Sequence, residues 1–303
     1  MNNENRISLY KLLDWKKTVS TFRLSLYSEE RLIQSINYNL ATLIEILKFN
    51  IDNNFMFFRI SSDIIPFVSH PICIFDWKEY FKSDLIQIGQ LIKKHNIRIS
   101  MHPDQFVLIN AKNQDIVTTS IKELEYHTDL LDLMGLDHSA KVQIHIGGIY
   151  GDKKRFMKQF IVNYKNLLSE EIKKRLVIEN DDHLYNLKDC IEINEYTNIP
   201  ILFNVFHHKC FDGNLPLHEA LQRASKTWDH NKDGILMIDY SNQEPNQRKG
   251  KHSKTLDIKQ FENFILSVSN CDFDIILELK DKEKSAKKAI KVINQINGNL
   301  RSN

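Results

Sequence analysis

"IRISMHPDQF" (97–106) decides how the rest of the chain is read. Ile97, Ile99 and Met101 alternate with polar neighbours, the period of a strand, and the run stops at His102 and Pro103. On the N-terminal side, "SDLIQIGQLIKKH" (83–95) spaces its apolar residues by three and four; on the C-terminal side, "VTTSIKELEYHTDLLDLMG" (117–135) does the same. Both read as amphipathic helices. A strand between two such helices is one unit of an α/β repeat.

The same unit recurs in both directions. Strands are predicted at "FMFFRIS" (55–61), "KVQIHI" (141–146), "RLVIEND" (175–181), "PILFNVF" (200–206), "GILMIDYS" (234–241) and "FDIILELK" (273–280). Helical spacing returns in "ERLIQSINYNLATLIEILKFN" (30–50) and "IKQFENFILSVS" (258–269). Strict alternation, with no Pro/Gly/Ser linker and no break in composition, predicts one α/β domain over residues 1–303 with a frayed tail at 297–303. A single (β/α)8 TIM barrel fits this rhythm, its remaining strand coming from the poorly defined "RISLYKL" (6–12). A doubly wound dinucleotide-binding sheet has no support, because no GxGxxG follows an early strand.

Composition narrows the function class. Of 303 residues, 42% are hydrophobic, enough for a substantial core, and 41 basic against 39 acidic residues leave a net charge of +2. Any polyanion-binding surface must therefore be local. Cys73, Cys190, Cys210 and Cys271 lack CxxC spacing, so neither a zinc ribbon nor a disulfide framework is indicated and reduced thiols are expected. No signal peptide or membrane span is legible, which predicts a soluble cytoplasmic protein without a membrane partner.

The ionisable residues of these strands all come late. His102, His145, Glu179, Asn204 with His207, Asp239 and Glu278 sit at or just past the ends of successive apolar runs. In a parallel barrel these positions converge on the C-terminal face, where such barrels keep their active sites. Buried charge is costly alone, and shared ligation of cations relieves the cost. Imidazole and carboxylate donors without thiolate suit Mn²⁺, Zn²⁺, Fe²⁺ or Mg²⁺. Glu179 opens the acidic run Asn180-Asp181-Asp182, where one carboxylate could bridge two ions, and His252 in "RKGKHSK" (248–254) would reach in from a loop.

In order and spacing, "FRISSDIIPFVSHP", "SMHPDQFV", "IHIGGIYGDK", "LVIENDD", His207-His208, "LPLHEAL", "DYSNQEP" with "GKHS", and "LELKDKEK" resemble the UV damage endonuclease family, TIM-barrel repair enzymes related to endonuclease IV; the resemblance spans about Thr21 to Ala286. It implies a metal-dependent DNA repair endonuclease that nicks duplex DNA 5′ to UV photoproducts. The metals would be two or three divalent ions, manganese foremost with zinc or magnesium as substitutes, held by His102, His145, Glu179, His207, His252 and Glu278. Glu179, His145 and Glu278 are the implied catalytic residues. Three positions depart: Asn204 stands where the family has an aspartate, Met237 where it has a lysine, and Asp239 where it has a histidine. Asp239 remains a competent ligand, whereas Asn204 offers only a carbonyl oxygen.

The resemblance also answers why an amide and a ring follow His102. Gln105 and Phe106 correspond to a glutamine and tyrosine that enter the duplex opposite the lesion, Tyr10 to a lesion-side tyrosine, and Lys251 and Lys280 would contact backbone phosphates. A monomer acting on UV-damaged double-stranded DNA is expected. Two alternatives share the residues: a non-catalytic damage-binding paralogue with a degraded metal site, and a metal-dependent sugar isomerase or epimerase on the same barrel.

Overall fold

The computed structural model describes residues 19–301 and the strand at 7–10, with side chains from 19 to 297. Eight strands are described: β1 (Ile7–Tyr10), β2 (Phe57–Ile60), β3 (Arg98–Met101), β4 (Lys141–His145), β5 (Leu176–Glu179), β6 (Ile201–Asn204), β7 (Leu236–Tyr240) and β8 (Phe273–Leu277). They follow one another in chain order round a closed barrel, so the fold class is the expected TIM barrel, and "RISLYKL" does supply its first strand. Contacts gather the described residues into two compact units, 19–176 and 7–10 with 177–301.

In the first unit β2 pairs in parallel with β3 from Phe57↔Arg98 to Ile60↔Met101, and β3 with β4 at Ser100↔Lys141 and Met101↔Val142. Three helices of this unit, Glu29–Asp52, Gln114–Leu133 and Lys153–Leu167, begin where a short polar side chain meets an unpaired N–H. Ser28, Asn113 and Asp152 accept from Arg31, Asp115 and Arg155, caps worth about 1 kcal/mol each. The helix Lys82–Lys94 comes so near the end of the helix Gln114–Leu133 that a β-carbon on Gly89 would lie 1.7 Å from the Met134 carbonyl oxygen.

In the second unit β5 to β8 pair in sequence and β8 pairs with β1, all parallel. Tyr240 lies 5.1 Å from the rings of both Phe261 and Phe264 on the helix Ile258–Ser267. Strand side chains alternate, so Met237 and Asp239 point to the opposite face of the sheet, where both are fully buried.

Two predicted boundaries are corrected with a clear physical cause. The strand expected over 200–206 ends at Asn204, and a helix runs from Val205 to Cys210. The cause is the Asn204 side chain, whose oxygen accepts from the N–H groups of Phe206 and His207 and caps that helix. His207 therefore sits on a helix, not a strand. Arg175, expected in β5, likewise closes the helix Glu170–Arg175, its guanidinium bonded to Asp132 and to the carbonyls of Leu136, Asp137 and Ala140.

Gly89→Ala should lower the unfolding free energy by about 1–3 kcal/mol through overpacking against Met134, measured by urea denaturation, without moving the site residues in the other unit.

Candidate metal centre

The strand ends of the second unit bring five predicted residues together. Glu179 closes β5 at 1% exposure, and Asn204 closes β6 fully buried. Asn180 joins them: its Nδ2 donates to the Asn204 carbonyl at 3.0 Å, and its Oδ1 accepts from the Asn204 N–H at 2.9 Å. The Asn204 Nδ2 then donates to Glu179 Oε1 at 2.8 Å and to Glu278 Oε2 at 3.1 Å. Glu278 follows β8 and is held by its own backbone, its N–H donating to the Tyr240 carbonyl and its carbonyl accepting from Ser241 Oγ.

The first turn of the capped helix places His207 over the pair. Its Nδ1 lies 3.0 Å from the Asn180 carbonyl and 3.2 Å from Glu179 Oε1. Burial pulls this imidazole down, but the Glu179 hydrogen bond and charge, with Glu278 and the Asn180 carbonyl, outweigh it and push its pKa up to about 10. With Nδ1 donating to the carbonyl, Nε2 is the nitrogen that would be left to ligate a cation, the arrangement that a carbonyl or carboxylate partner imposes on ligating histidines.

His252 arrives from the loop after β7, as expected. It forms an isolated bridge with Gln243; the Gln243 amide donates to the Arg248 carbonyl and accepts from the Gly250 N–H, and the Glu244 carboxylate accepts from the Lys254 N–H. Its ring stands edge-on to Phe206 at 4.9 Å and at 5.7 Å from His207, with Nδ1 3.6 Å from Glu278 Oε2. Ligand atoms of His207, His252 and Glu278 all lie within 4.8 Å of one another. This spacing and donor set fit a divalent cation of the borderline-to-hard kind.

Other predicted residues fall differently. The Asn204 carbonyl oxygen, expected to face a cation, is taken by two backbone N–H groups. Asp181, in the run where a bridging carboxylate was expected, accepts through Oδ1 from the N–H groups of His183, Leu184 and Tyr185 and forms a turn, and with Asp182 and His183 it makes a further group of donors that could hold a cation. Asp239 is buried opposite Asn204 in the β6–β7 register, outside the groups of His, Asp and Glu donors that cluster this closely among the described residues. Sequence reading gave no role to Asn180, which orients both Asn204 and His207; its one signal is its place directly after Glu179.

In the first unit His145 ends β4 and His102 follows β3, with ring centroids 5.4 Å apart. The His102 carbonyl accepts from Ser62 Oγ, whose own carbonyl accepts from the Tyr126 hydroxyl. Gln105 and Phe106 occupy a turn closed by the Val107 N–H and the Asp104 carbonyl, and the Phe106 ring is 74% exposed. Beside it opens a cavity of about 600 Å³ lined by Asp63, Phe67, Asp104, Phe106, Ile116 and Glu123, among others. Gly147 explains part of "IHIGGIYGDK": at φ 114° it passes so near Asn110 that a β-carbon would lie 2.3 Å from its Oδ1.

Of the DNA contacts expected, Lys280 is exposed and Lys251 half-buried; the Asp281 N–H donates to the Lys254 carbonyl, which sets both basic stretches on one rim. Tyr10 lies in β1, and its side chain falls outside the described residues.

A family model described as UV-endonuclease UvdE matches residues 11–300. The chain belongs to this family. A UV DNA damage endonuclease of Clostridium perfringens is 40% identical over 277 residues, 91% of this chain and 67% of that protein; one of Bacillus cereus is 34% identical over 272 residues, 89% and 85%. The crystal structure of SacUVDE, 41% identical, superposes with a TM-score of 0.91 over 97% of this chain and 99% of that one. A D-psicose 3-epimerase from Clostridium cellulolyticum, at 10% identity and a TM-score of 0.56 over 95% and 97%, shares the fold alone with this UvdE-family chain. No described helix is long and apolar enough to cross a membrane.

The raised His207 value sets a pH dependence. In metal-free protein its protonated form contributes stability that is fully present below the ordinary 6.5 and is lost as pH rises through about 10. A divalent ion must displace that proton, so calorimetry at pH 7.5 in buffers of different ionisation enthalpy should show proton release on Mn²⁺ binding, absent in His207→Gln.

Proposed function

We propose that this chain is a metal-dependent repair endonuclease that nicks duplex DNA 5′ to UV photoproducts. The observation that carries the reading is the convergence of Glu179, His207, His252 and Glu278 in a chain of the UvdE family. His102, His145 and Asp239 complete the proposed ligand set for two or three divalent ions, manganese foremost, and Glu179, His145 and Glu278 are the proposed catalytic residues. Divalent ions held there would polarise the scissile phosphate and acidify an attacking water.

The chain's own residues supply the rest. Glu179 and Glu278 provide the negative charge that selects a cation, and the Asn180 carbonyl fixes the His207 ring so that Nε2 is presented in one orientation. Lys251, Lys254 and Lys280 lie where backbone phosphates would be gripped, a sequence-independent contribution that weakens with salt.

Reaching a photoproduct requires unstacking bases at a cost of a few kcal/mol, lowest where damage has already weakened pairing. Phe106 is placed to fill the gap. Its exposure rules out the ordinary role of a core aromatic under the loop, and a ring stacked on a base contributes about 1–3 kcal/mol without sequence preference. The cavity beside it is apolar and acidic, chemistry that suits the face and edge of an uncharged base better than a phosphate. Tyr10 is proposed as the contact on the lesion side.

Irradiated plasmid should be nicked with Mn²⁺ and not after chelation, while unirradiated plasmid stays supercoiled; retention of irradiated DNA without any nick would instead favour a damage-binding protein. Glu179→Gln should keep the fold, by circular dichroism, and lose nicking by orders of magnitude.

A second variant separates recognition from chemistry. Gln105→Ala with Phe106→Ala should keep metal content and thermal stability but lose its preference for irradiated over plain duplex in gel-shift competition. An unchanged preference removes the wedge.

A further inference from the structure

The Asn204 side chain makes four hydrogen bonds in the metal centre. A carboxamide has two N–H donors and one oxygen with two acceptor positions. Both donors are engaged, on Glu179 at 2.8 Å and on Glu278 at 3.1 Å. Both acceptor positions are engaged too, by the N–H groups of Phe206 and His207 at 3.0 Å each. The two backbone donors also settle which end of the amide is which, since only the oxygen can accept them. The side chain is fully buried, so losing a contact there would leave a polar group unsatisfied at a cost.

We propose that Asn204 is a positioning residue that clamps Glu179 to Glu278 in place of a cation, and that its saturated amide closes off one metal position that an isosteric aspartate would open. The proposal rests on the reading of this cluster as a metal centre and deepens it. An amide N–H pair between two carboxylates performs locally what a bridging ion would: it offers positive charge density to both and holds them in register. Two consequences follow. The carboxylate pair is preformed before any ion arrives, and the chain carries fewer ions than its count of acidic and imidazole donors suggests.

Asn204→Asp isolates the clamp. Aspartate caps a helix as well as asparagine does, so the bonds to Phe206 and His207 survive, while the two N–H donors become an oxygen facing two carboxylates. Metal-stripped Asn204→Asp should melt several degrees below stripped wild type, added Mn²⁺ should restore most of that loss, and equilibrium dialysis should count one more Mn²⁺ per chain than wild type. A merely structural role would lower the melting temperature without changing the Mn²⁺ count.

Equal melting temperatures without metal, or equal Mn²⁺ counts, would overturn the proposal. Should Asn204→Asp fail to fold even with Mn²⁺, Asn204→Ser carries the test: it keeps a capping oxygen, lacks the N–H pair, and should melt below wild type when stripped but approach it in Mn²⁺. Equal melting of the serine variant and wild type when both are stripped would also refute the clamp. A wild-type protein that binds no Mn²⁺ refutes the metal reading itself, a result distinct from either failure of the clamp.

Discussion

Two carboxylates brought together at the ends of β5 and β8, one of them almost wholly out of water, are the constraint on which the second unit is organised. An ionised carboxylate in a low-dielectric interior is tolerated only when donors surround it. The donors here come in layers. Asn204 and His207 touch the carboxylates; Asn180 bonds the backbone of Asn204 and the ring of His207; the helix Val205–Cys210 starts where it does because the Asn204 oxygen caps it. Moving any one of these residues disturbs a strand junction, a helix start and a charge pair at once.

This layering explains what the sequence disclosed and what it withheld. The barrel was legible because alternation of strand and helix spacing is a property of the chain itself, and the late positions of His145, Glu179 and Glu278 were legible as a set, since each has an ordinary structural explanation alone but their recurrence at the ends of successive apolar runs does not. The overrun of the predicted strand at 200–206 has a specific origin: Val205 and Phe206 continue the apolar pattern of β6, and nothing in that pattern announces that Asn204 will turn its own side chain onto the following N–H groups. The turn at Asp181 was hidden for a related reason: nothing in the run Asn180-Asp181-Asp182 announces that one Asp181 oxygen will accept from three N–H groups.

The loop that follows β3 works by the opposite logic. Gln105 and Phe106 face water, and what fixes their loop lies beneath: the Leu108 N–H donates to Ser120 Oγ, Ile109 and Asn110 are buried, and Ser62 with Tyr126 holds the His102 carbonyl. In the proposed role, an exposed aromatic held on such a turn would stack without first losing backbone freedom, which is the advantage of preorganisation.

Gly250 gives the His252 loop a pattern of permissible change. At φ 84°, a backbone conformation that strains any other residue, and with a would-be β-carbon 2.5 Å from Asp182 Oδ2, the neck of the loop disfavours a side chain and sits against the segment after β5. Between the Glu244 and Lys251 pairing the backbone is also held, Asn246 at φ 57° and the Gln247 and Arg248 carbonyls accepting from the Gln243 amide, while the side chains of Arg248 and Lys249 are exposed and tied down by no hydrogen bond or ion pair among the described residues. Charge can therefore vary at the tip without disturbing that backbone, while the imidazole at the base keeps its place: on the proposed function, affinity for a polyanion would be free to drift without dragging the chemistry along.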